Sequence, residues 1–553
     1  MQKISSNSIR AIACLLGLSI IGLCGYSQNA NQSSDLKNIV LPSPTTAALG
    51  QYGNTPVGLY TGTTQVNVPL YEIHEGALKL PISLSYHSGG IKVAEMASWV
   101  GLGWSLNAGG SISRTVYGLP DEFSINAFYT LTNNPPSLGD MKKILFNQYD
   151  AQPDVFYFNF NGKSGKFFIT KNNIIPISPH QNLKIQAIQS NGSSMDPPFI
   201  GLDAVLQFRI TDEDGIVYEF RDHETTRSTT FSASIGNEPD VIQPGNATNI
   251  TAWYLTDMYS PTGDTIRFIY DDYMLTYDIA SSEQQFVSTF MTNPNQQRYV
   301  KNVTKSLTHN KRLRQIQFSN GSLNLAATTP RNDLVGDTML NSISMWDANG
   351  RLIKGYNLLY NSTDGPGTMD DNTYSGYLNG YTLVSNRRLM LEGVSELDSA
   401  GIPNGKNYSF DYNMSPALPS TFSKARDFWG YWNGSSENET SFLDYQLVGT
   451  DIGIISNYQL INKEPSLNYC KANSLSRIHY PTGGYTQFNY ELHDAYVGRG
   501  VLPPQVVTAS HTMSINFSNY SSLGYVDTVI SGVDCKYMPF SVSTGAGATV
   551  TIT

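Results

Sequence analysis

Charge is scarce in this sequence. Asp, Glu, Lys and Arg make up 14% of its 553 residues, well under the ~25% of ordinary soluble domains. The 35 Lys and Arg side chains form no run longer than two, and with 45 carboxylates the formal charge is −10. A nucleic-acid binder needs a basic footprint to neutralise phosphates, so that class is excluded. Long apolar runs are missing as well. The longest, Ala11 to Leu23, has 13 residues, short of the ~20 that cross a bilayer. Lys3 and Arg10 flank it and small residues follow at Gly25-Tyr26-Ser27, which is the layout of a secretion signal cleaved before Gln28. Cys24 opens a second route, acylation of its thiol. Leu23, standing where lipoproteins carry Gly or Ala, counts against it.

Cysteine is nearly absent from the mature chain. Loss of residues 1–27 removes Cys14 and Cys24 and leaves Cys470 and Cys535. An even pair in an oxidising compartment permits one disulfide, and two unpaired thiols are the equal alternative. Metal and catalytic patterns are also wanting. The eight histidines show no His-Glu-x-x-His pair or other zinc spacing. Gly103-Trp104-Ser105-Leu106-Asn107 departs from the Gly-x-Ser-x-Gly elbow and lies in a strand-like context. Asp212-Glu213-Asp214 and Asp370-Asp371 offer hard oxygens, yet neither completes a calcium loop. No catalytic, cofactor-binding or metal site is therefore expected, and the chain reads as a non-enzyme.

What the sequence does have is two-residue alternation. Val66, Val68 and Leu70, then Leu78, Leu80, Ile82, Leu84 and Tyr86, alternate with polar neighbours, the signature of half-buried strands. Val155 to Phe160 and Lys166 to Thr170 flank a glycine-bearing reversal and predict a hairpin. Helical periodicity is confined to one candidate, Asp140 to Tyr149. The organisation expected is a signal peptide over 1–27, a Ser/Asn/Pro/Thr-rich disordered linker over 28–49, a hairpin region over 50–497, and a small β-sandwich over 505–553. The last stops inside a strand pattern and reads as truncated.

An internal repeat carries the most information. Leu255-Thr256-Asp257-Met258-Tyr259-Ser260-Pro261-Thr262-Gly263 aligns with Leu475-Ser476-Arg477-Ile478-His479-Tyr480-Pro481-Thr482-Gly483, and both continue to an aromatic pair, Phe268 with Tyr270 and Phe488 with Tyr490. Looser copies begin at Leu340 (Ile343, Asp347 to Gly350, Tyr356, Tyr360) and at Leu391 (Val394, Asp398 to Gly401, Tyr408, Phe410, Tyr412). Thr211 to Gly215 with Tyr218 and Phe220 carries the second half. Each copy predicts a strand, a Pro- or Asp-led turn closed by Gly, and a return strand. Single hairpins are unstable in water, so they are expected to pair into one long, curved sheet: an all-β chain.

Several stretches together resemble the N-terminal region of exported bacterial RHS/YD-repeat proteins, the polymorphic-toxin-like family. They are Ala48 to Val57, Leu80 to His87, Ala97 to Gly110, Pro153 to Phe160, Phe428-Trp429-Gly430-Tyr431-Trp432-Asn433-Gly434 and Tyr480 to Gly484. The resemblance implies a β-hairpin shell, related to that of the insecticidal toxin complexes, that encloses a variable toxic C-terminal domain. On it the chain is a scaffold, exported to the cell surface or beyond, whose partner is its own C-terminal region or toxin cargo. Two family features are missing: a long regular run of YD repeats, and the autoprocessing core, since the single Asp-Pro, Asp196-Pro197, lies outside such a context. A cell-surface adhesin or glycan-binding protein is the alternative, with Trp99, Trp104, Trp429 and Trp432 as sugar-stacking candidates against a reading as packing aromatics. Asp264-Thr265-Ile266, Asp337-Thr338-Met339 and Asp527-Thr528-Val529 have the form of O-glycan acceptor triplets.

Overall fold

A computed structural model describes residues 39–40, 43–46, 62–63, 65–117, 120–121, 137–145, 152–169, 174–178, 181–189, 194–195, 205–234, 240–243, 248–286, 298–334, 336–365, 386–436, 438 and 462–493. Its strands, in chain order, are β1 (Ile39–Val40), β2 (Gln65–Glu75), β3 (Leu78–His87), β4 (Trp104–Asn107), β5 (Gly110–Tyr117), β6 (Val155–Phe160), β7 (Lys163–Ile169), β8 (Ile174–Ser178), β9 (Lys184–Gln189), β10 (Ser194–Met195), β11 (Val205–Thr211), β12 (Val217–Ser234) and β13 (Asp240–Gln243). They continue with β14 (Thr248–Tyr259), β15 (Thr265–Phe286), β16 (Arg298–Phe318), β17 (Gly321–Ala326), β18 (Thr329–Pro330), β19 (Thr338–Met339), β20 (Ser342–Asp347), β21 (Leu352–Asp364), β22 (Arg387–Leu397), β23 (Pro403–Tyr412), β24 (Leu475–His479) and β25 (Tyr485–Gln487). Helices α1 (Leu138–Leu145) and α2 (Leu467–Cys470) accompany them.

The chain is all-β, as the alternation requires. Twenty strands share one sheet, with separate small sheets β2-β3-β4 and β18-β19. From β14 onward, successive strands pair with their sequence neighbours: β14-β15-β16-β17, then β20 through β25. β14 also pairs with β5, which joins the run β5-β6-β7-β8 to the rest. The long strands close a circuit, because β12 pairs with both β14 and β16 while β15 bridges those two.

Period-two patterning becomes burial directly. Val66, Val68, Leu78, Leu80, Ile82 and Leu84 lie in one core with Trp104, Phe156, Phe208, Trp253 and the repeat leucines. The 155–170 hairpin forms with a tighter turn than the spacing suggests. β7 starts at Lys163, and Asn161 and Gly162 alone turn the chain at φ 44° and 77°, the paired positive φ of a type I′ turn. The helix begins two residues earlier than expected, at Leu138, because Ser137 caps it: its Oγ accepts from Asp140 N at 3.1 Å, and Asp140 Oδ2 accepts from Ser137 N at 3.2 Å.

The disordered reading of 28–49 does not hold for all of that segment. Ile39 and Val40 pair with Tyr117 and Val116, and Ser43 and Thr46 are buried. Glu224, itself buried, anchors them. Its carboxylate accepts from Ser43 N at 2.8 Å, Thr251 Oγ1 at 2.9 Å and Tyr254 Oη at 2.9 Å. Ser43 and Thr46 are thus held by polar bonds to a carboxylate more than a hundred residues away. The sandwich expected over 505–553 lies outside the described residues.

Candidate functional site

The repeat copies share two devices. The first is the turn. At Asp212, Ser260, Asp347, Asp398, Asp427 and Tyr480 the N–H of the leading residue donates to the carbonyl four residues on, at 2.8–3.0 Å, and the fourth residue, a glycine, donates back to the leading carbonyl. Those glycines have φ between 74° and 97°, the left-handed region that closes a type I turn in a hairpin. Asp suits the lead position because its side chain caps the turn. Asp347 Oδ1 accepts from Asn349 N at 2.9 Å and Arg351 N at 2.8 Å, and Asp212, Asp398 and Asp427 repeat the pattern.

The second device ties each hairpin back on itself. The hydroxyls of Tyr270, Tyr360, Tyr412 and Tyr490 donate to the carbonyls of Leu255, Leu340, Leu391 and Leu475, the first residue of each copy, at 2.5–2.7 Å. Buried Leu255, Leu340, Leu391 and Leu475 thereby have a carbonyl satisfied by a side chain where the ladder leaves it open. In the Leu340 copy Leu358 occupies the packing place that Phe268 holds in the first.

These clasps connect to the small sheet β2-β3-β4. Trp104 Nε1 donates to Tyr412 Oη at 2.8 Å, Tyr86 Oη accepts from Leu475 N at 2.9 Å, and Tyr356 Oη donates to Leu70 O at 2.5 Å. Gly101, at φ 110°, brings the chain so close to β22 that a Cβ there would stand 3.0 Å from Leu391 N. Leu102 N bonds Leu389 O at 2.8 Å beside it. The Gly-Leu-Gly-Trp motif is thus a docking edge for the repeats.

Buried ion clusters pin the loops. Arg331 is fully buried. Its guanidinium donates to Asp333 at 2.7 and 3.0 Å, to Asp337 at 2.8 Å and to Ala97 O at 2.9 Å. Arg312 pairs with Asp337 as well and lies 3.9 Å over the Tyr273 ring. Arg114 and Asp154, both buried, form a second pair. Glu95 has its carboxyl pushed up to about 7 by burial.

The sequence candidates distribute as follows. Cys470 is half-buried on α2, while Cys535 lies outside the described residues. Asp212 is consumed by its turn and by Tyr218 Oη at 3.1 Å, and Glu213 pairs with Lys163 at 2.9 Å. Asp370, Asp371 and Asp196-Pro197 fall outside the described residues. Ser105 is buried in β4, on a strand and not on a strand-to-helix elbow. Among the described residues no three His, Cys, Asp or Glu side chains converge as metal ligands, and no helix is long and apolar enough to cross a membrane. Asp337 is buried in its ion cluster, and Asp264 accepts from Ser260 and Thr262 at 2.7 Å. Asp527-Thr528-Val529 lies outside the described residues.

The four tryptophans part company. Trp99, Trp104 and Trp432 are buried, the last against Tyr469 at 4.9 Å. Trp429 is 63% exposed and its neighbour Phe428 61%, with their rings 6.2 Å apart and nearly perpendicular. They sit at the two tip positions of the Asp427 turn, a copy of the repeat turn that sequence alignment missed because its flanking strands are too short to show the pattern. The sister turns carry Glu213-Asp214, Pro261-Thr262, Ala348-Asn349, Ser399-Ala400 and Pro481-Thr482 there. The turn is docked by Val93 N to Gly430 O at 3.0 Å and Tyr431 Oη to Gly89 O at 2.8 Å.

No protein-family description and no curated protein sequence matches the chain. Solved structures do. The N-terminal domain of effector protein SpvB from Salmonella typhimurium strain LT2 aligns at 12% identity and TM-score 0.26, over 61% of this chain and 99% of that one. The Photorhabdus luminescens Tc holotoxin pore aligns at 13% identity and TM-score 0.30, over 70% of this chain. TcdB2-TccC3-TEV aligns at 11% identity and TM-score 0.27, also over 70%. This chain spans 17% of the matched chain in each of the last two. At these values the likeness neither places the chain in a family nor assigns it a function.

Proposed function

We propose that this chain is a non-catalytic scaffold segment of an exported RHS/YD-type protein, a curved β-hairpin wall that encloses or presents a C-terminal domain encoded with it. The observation that carries the reading is the recurrence of one clasp, a tyrosine hydroxyl on the opening leucine of its own hairpin, in four copies along a continuous sheet. Such a clasp rigidifies a wall and contributes no reactive group. The resemblance of the motifs quoted above supports the same reading, and the secretion-signal layout of residues 1–27 supports export.

The test is proteolysis of the complete gene product. Sequence downstream of Thr553 is expected to resist protease while this segment is folded and to become cleavable when the buried Arg331 cluster is broken. Equal cleavage with the wall intact and broken would sink the reading. So would an open reading frame with nothing further to enclose.

A second reading, a cell-surface adhesin or glycan-binding protein, is favoured by the exposed Phe428–Trp429 tip alone. Saturable binding on a glycan array that disappears in Trp429→Ala would establish it, and an array without signal would remove it.

A further inference from the structure

Three return strands of the repeat meet the strand that follows them by one pairing rule. On β15, Phe268 stands opposite Ile316 and Tyr270 opposite Leu313 of β16. On β21, Leu358 stands opposite Val394 and Tyr360 opposite Leu391 of β22. On β23, Phe410 stands opposite Ile478 and Tyr412 opposite Leu475 of β24. The arriving strand reads Leu313-Arg314-Gln315-Ile316, Leu391-Glu392-Gly393-Val394 or Leu475-Ser476-Arg477-Ile478, Leu-x-x-Ile/Val each time.

That spacing has a physical reason. Side chains three apart on a regular strand point to opposite faces. In all three interfaces the register shifts just before the tyrosine, so three steps along the arriving strand are set against two along the return strand. The β-bulge brings the leucine back to the core face beside the Ile or Val. Leu391 and Val394 are accordingly both buried, as are Leu475 and Ile478.

β25 is the fourth return strand, and among the described residues it pairs with β24 and with no second strand. Phe268, Leu358 and Phe410 are buried, whereas Phe488 in the same place is only partly so, and Tyr485 is 60% exposed. Tyr480 N donates to Gly484 O at 2.8 Å and Phe488 N to Ser476 O at 2.9 Å. By the alternation of an antiparallel ladder, Tyr485, Gln487 and Asn489 therefore turn their backbone groups away from β24. A strand edge of that kind is a template for another strand.

We infer that the outer edge of β25 takes one further antiparallel strand of pattern Leu-x-x-Ile/Val, with the Ile or Val opposite Phe488 and the Leu opposite Tyr490. The occupant is the opening strand of a further hairpin of the same protein, because this edge continues the interface that the three earlier return strands make with their successors. The source of the strand rests on the wall reading; the pattern selected by the edge rests on register alone.

A peptide with the sequence of β22, Arg387–Leu397, supplies the pattern and is the probe. Added in labelled form to the full 553-residue chain, it should bind saturably by fluorescence anisotropy. The amides of Gln487 and Asn489 should then exchange with deuterium about tenfold more slowly, or slower still. Leu391→Asn or Val394→Asn in the peptide should each weaken binding about tenfold or more. A peptide lacking Glu392, the bulge residue, keeps the leucine and valine but loses their spacing, and should bind as poorly. In the chain, Gln487→Pro removes an outward N–H without touching the β24 ladder and should abolish binding; the peptide variants carry the test if that chain does not fold. Absence of saturable binding overturns the inference, as does binding indifferent to the leucine, the valine or their spacing. Amides already protected without peptide, in a chain that sediments as a dimer, would assign the edge to a second copy and overturn it too. Peptide binding with downstream sequence left open to protease would sink enclosure and leave the edge assignment standing, and protection without peptide binding would do the reverse.

Discussion

The hydroxyl of Tyr270 donates to the carbonyl of Leu255 at 2.7 Å, across a hairpin whose turn lies between them. Tyr490 makes the same bond to Leu475 at the same distance. Two stretches related only by pattern thus place the same two atoms together. The Tyr270 ring is partly buried against the core, and desolvation pushes its titration far above the ordinary phenol range.

Removing one clasp should cost a measurable but limited amount. Tyr270→Phe is expected to lose about 1–2 kcal/mol, since the ring stays packed and a buried carbonyl loses its donor. Tyr412→Phe should cost more, because Trp104 Nε1 loses its acceptor as well. Urea unfolding monitored by tryptophan fluorescence measures both, and equal losses would argue against the Trp104 link.

Arg331 should be the most sensitive single position. Arg331→Met leaves Asp333 and Asp337 buried with their main partner gone, an uncompensated arrangement that costs about 3–5 kcal/mol. Exposed Arg387, paired with Asp364 at 2.7 Å, serves as the contrast: Arg387→Met should change stability by under about 1 kcal/mol. Denaturation midpoints of the two variants give the comparison.

Asp278 makes stability fall with rising pH. It is buried, its two carboxylate oxygens have no hydrogen-bond partner among the described residues, and burial lifts it from 3.8 to about 6 despite Lys305 opposite. A folded pKa above the unfolded one means that the contribution is present below about pH 4 and lost as pH rises through about 6. Asp278→Asn should therefore exceed the parent in stability by on the order of 2–3 kcal/mol near pH 8, and match it near pH 4. Thermal melts across that range check the sign, and a gap that widened toward acid would contradict it.

The two tryptophans of the Phe428 to Gly434 motif should behave oppositely. Trp432 packs on Tyr469 at 4.9 Å and is 7% exposed, so Trp432→Ala should lose about 3–5 kcal/mol. Trp429→Ala should stay within about 0.5 kcal/mol of the parent. Unfolding free energies of the two variants separate the roles.

Strand and turn formation were legible because they are local. Alternation over Val66 to Tyr86 assigns a face to each residue by the pleat alone, and an Asp-x-x-Gly turn closes within five residues. The tip at Asp427 has no alternating flanks to mark it, and the pairing of Ile39-Val40 and the burial of Ser43 and Thr46 have too short an apolar stretch to show a period. Both depend on partners far along the chain: Val93 for the first and Glu224 for the second.

The sequence by itself determined that this is a strand-and-turn protein with a repeated hairpin, since period-two patterning and Gly-closed turns act through neighbours in the chain. Only the tertiary structure decided what the repeat's tyrosines hold, which tryptophan meets solvent, and which residues of the next strand face each return strand. Those outcomes depend on register between strands whose paired residues stand far apart, as when Tyr86 meets Leu475 across 389 positions. Pairing of that kind is settled by the summed burial and hydrogen bonding of the whole sheet, a quantity no local stretch contains.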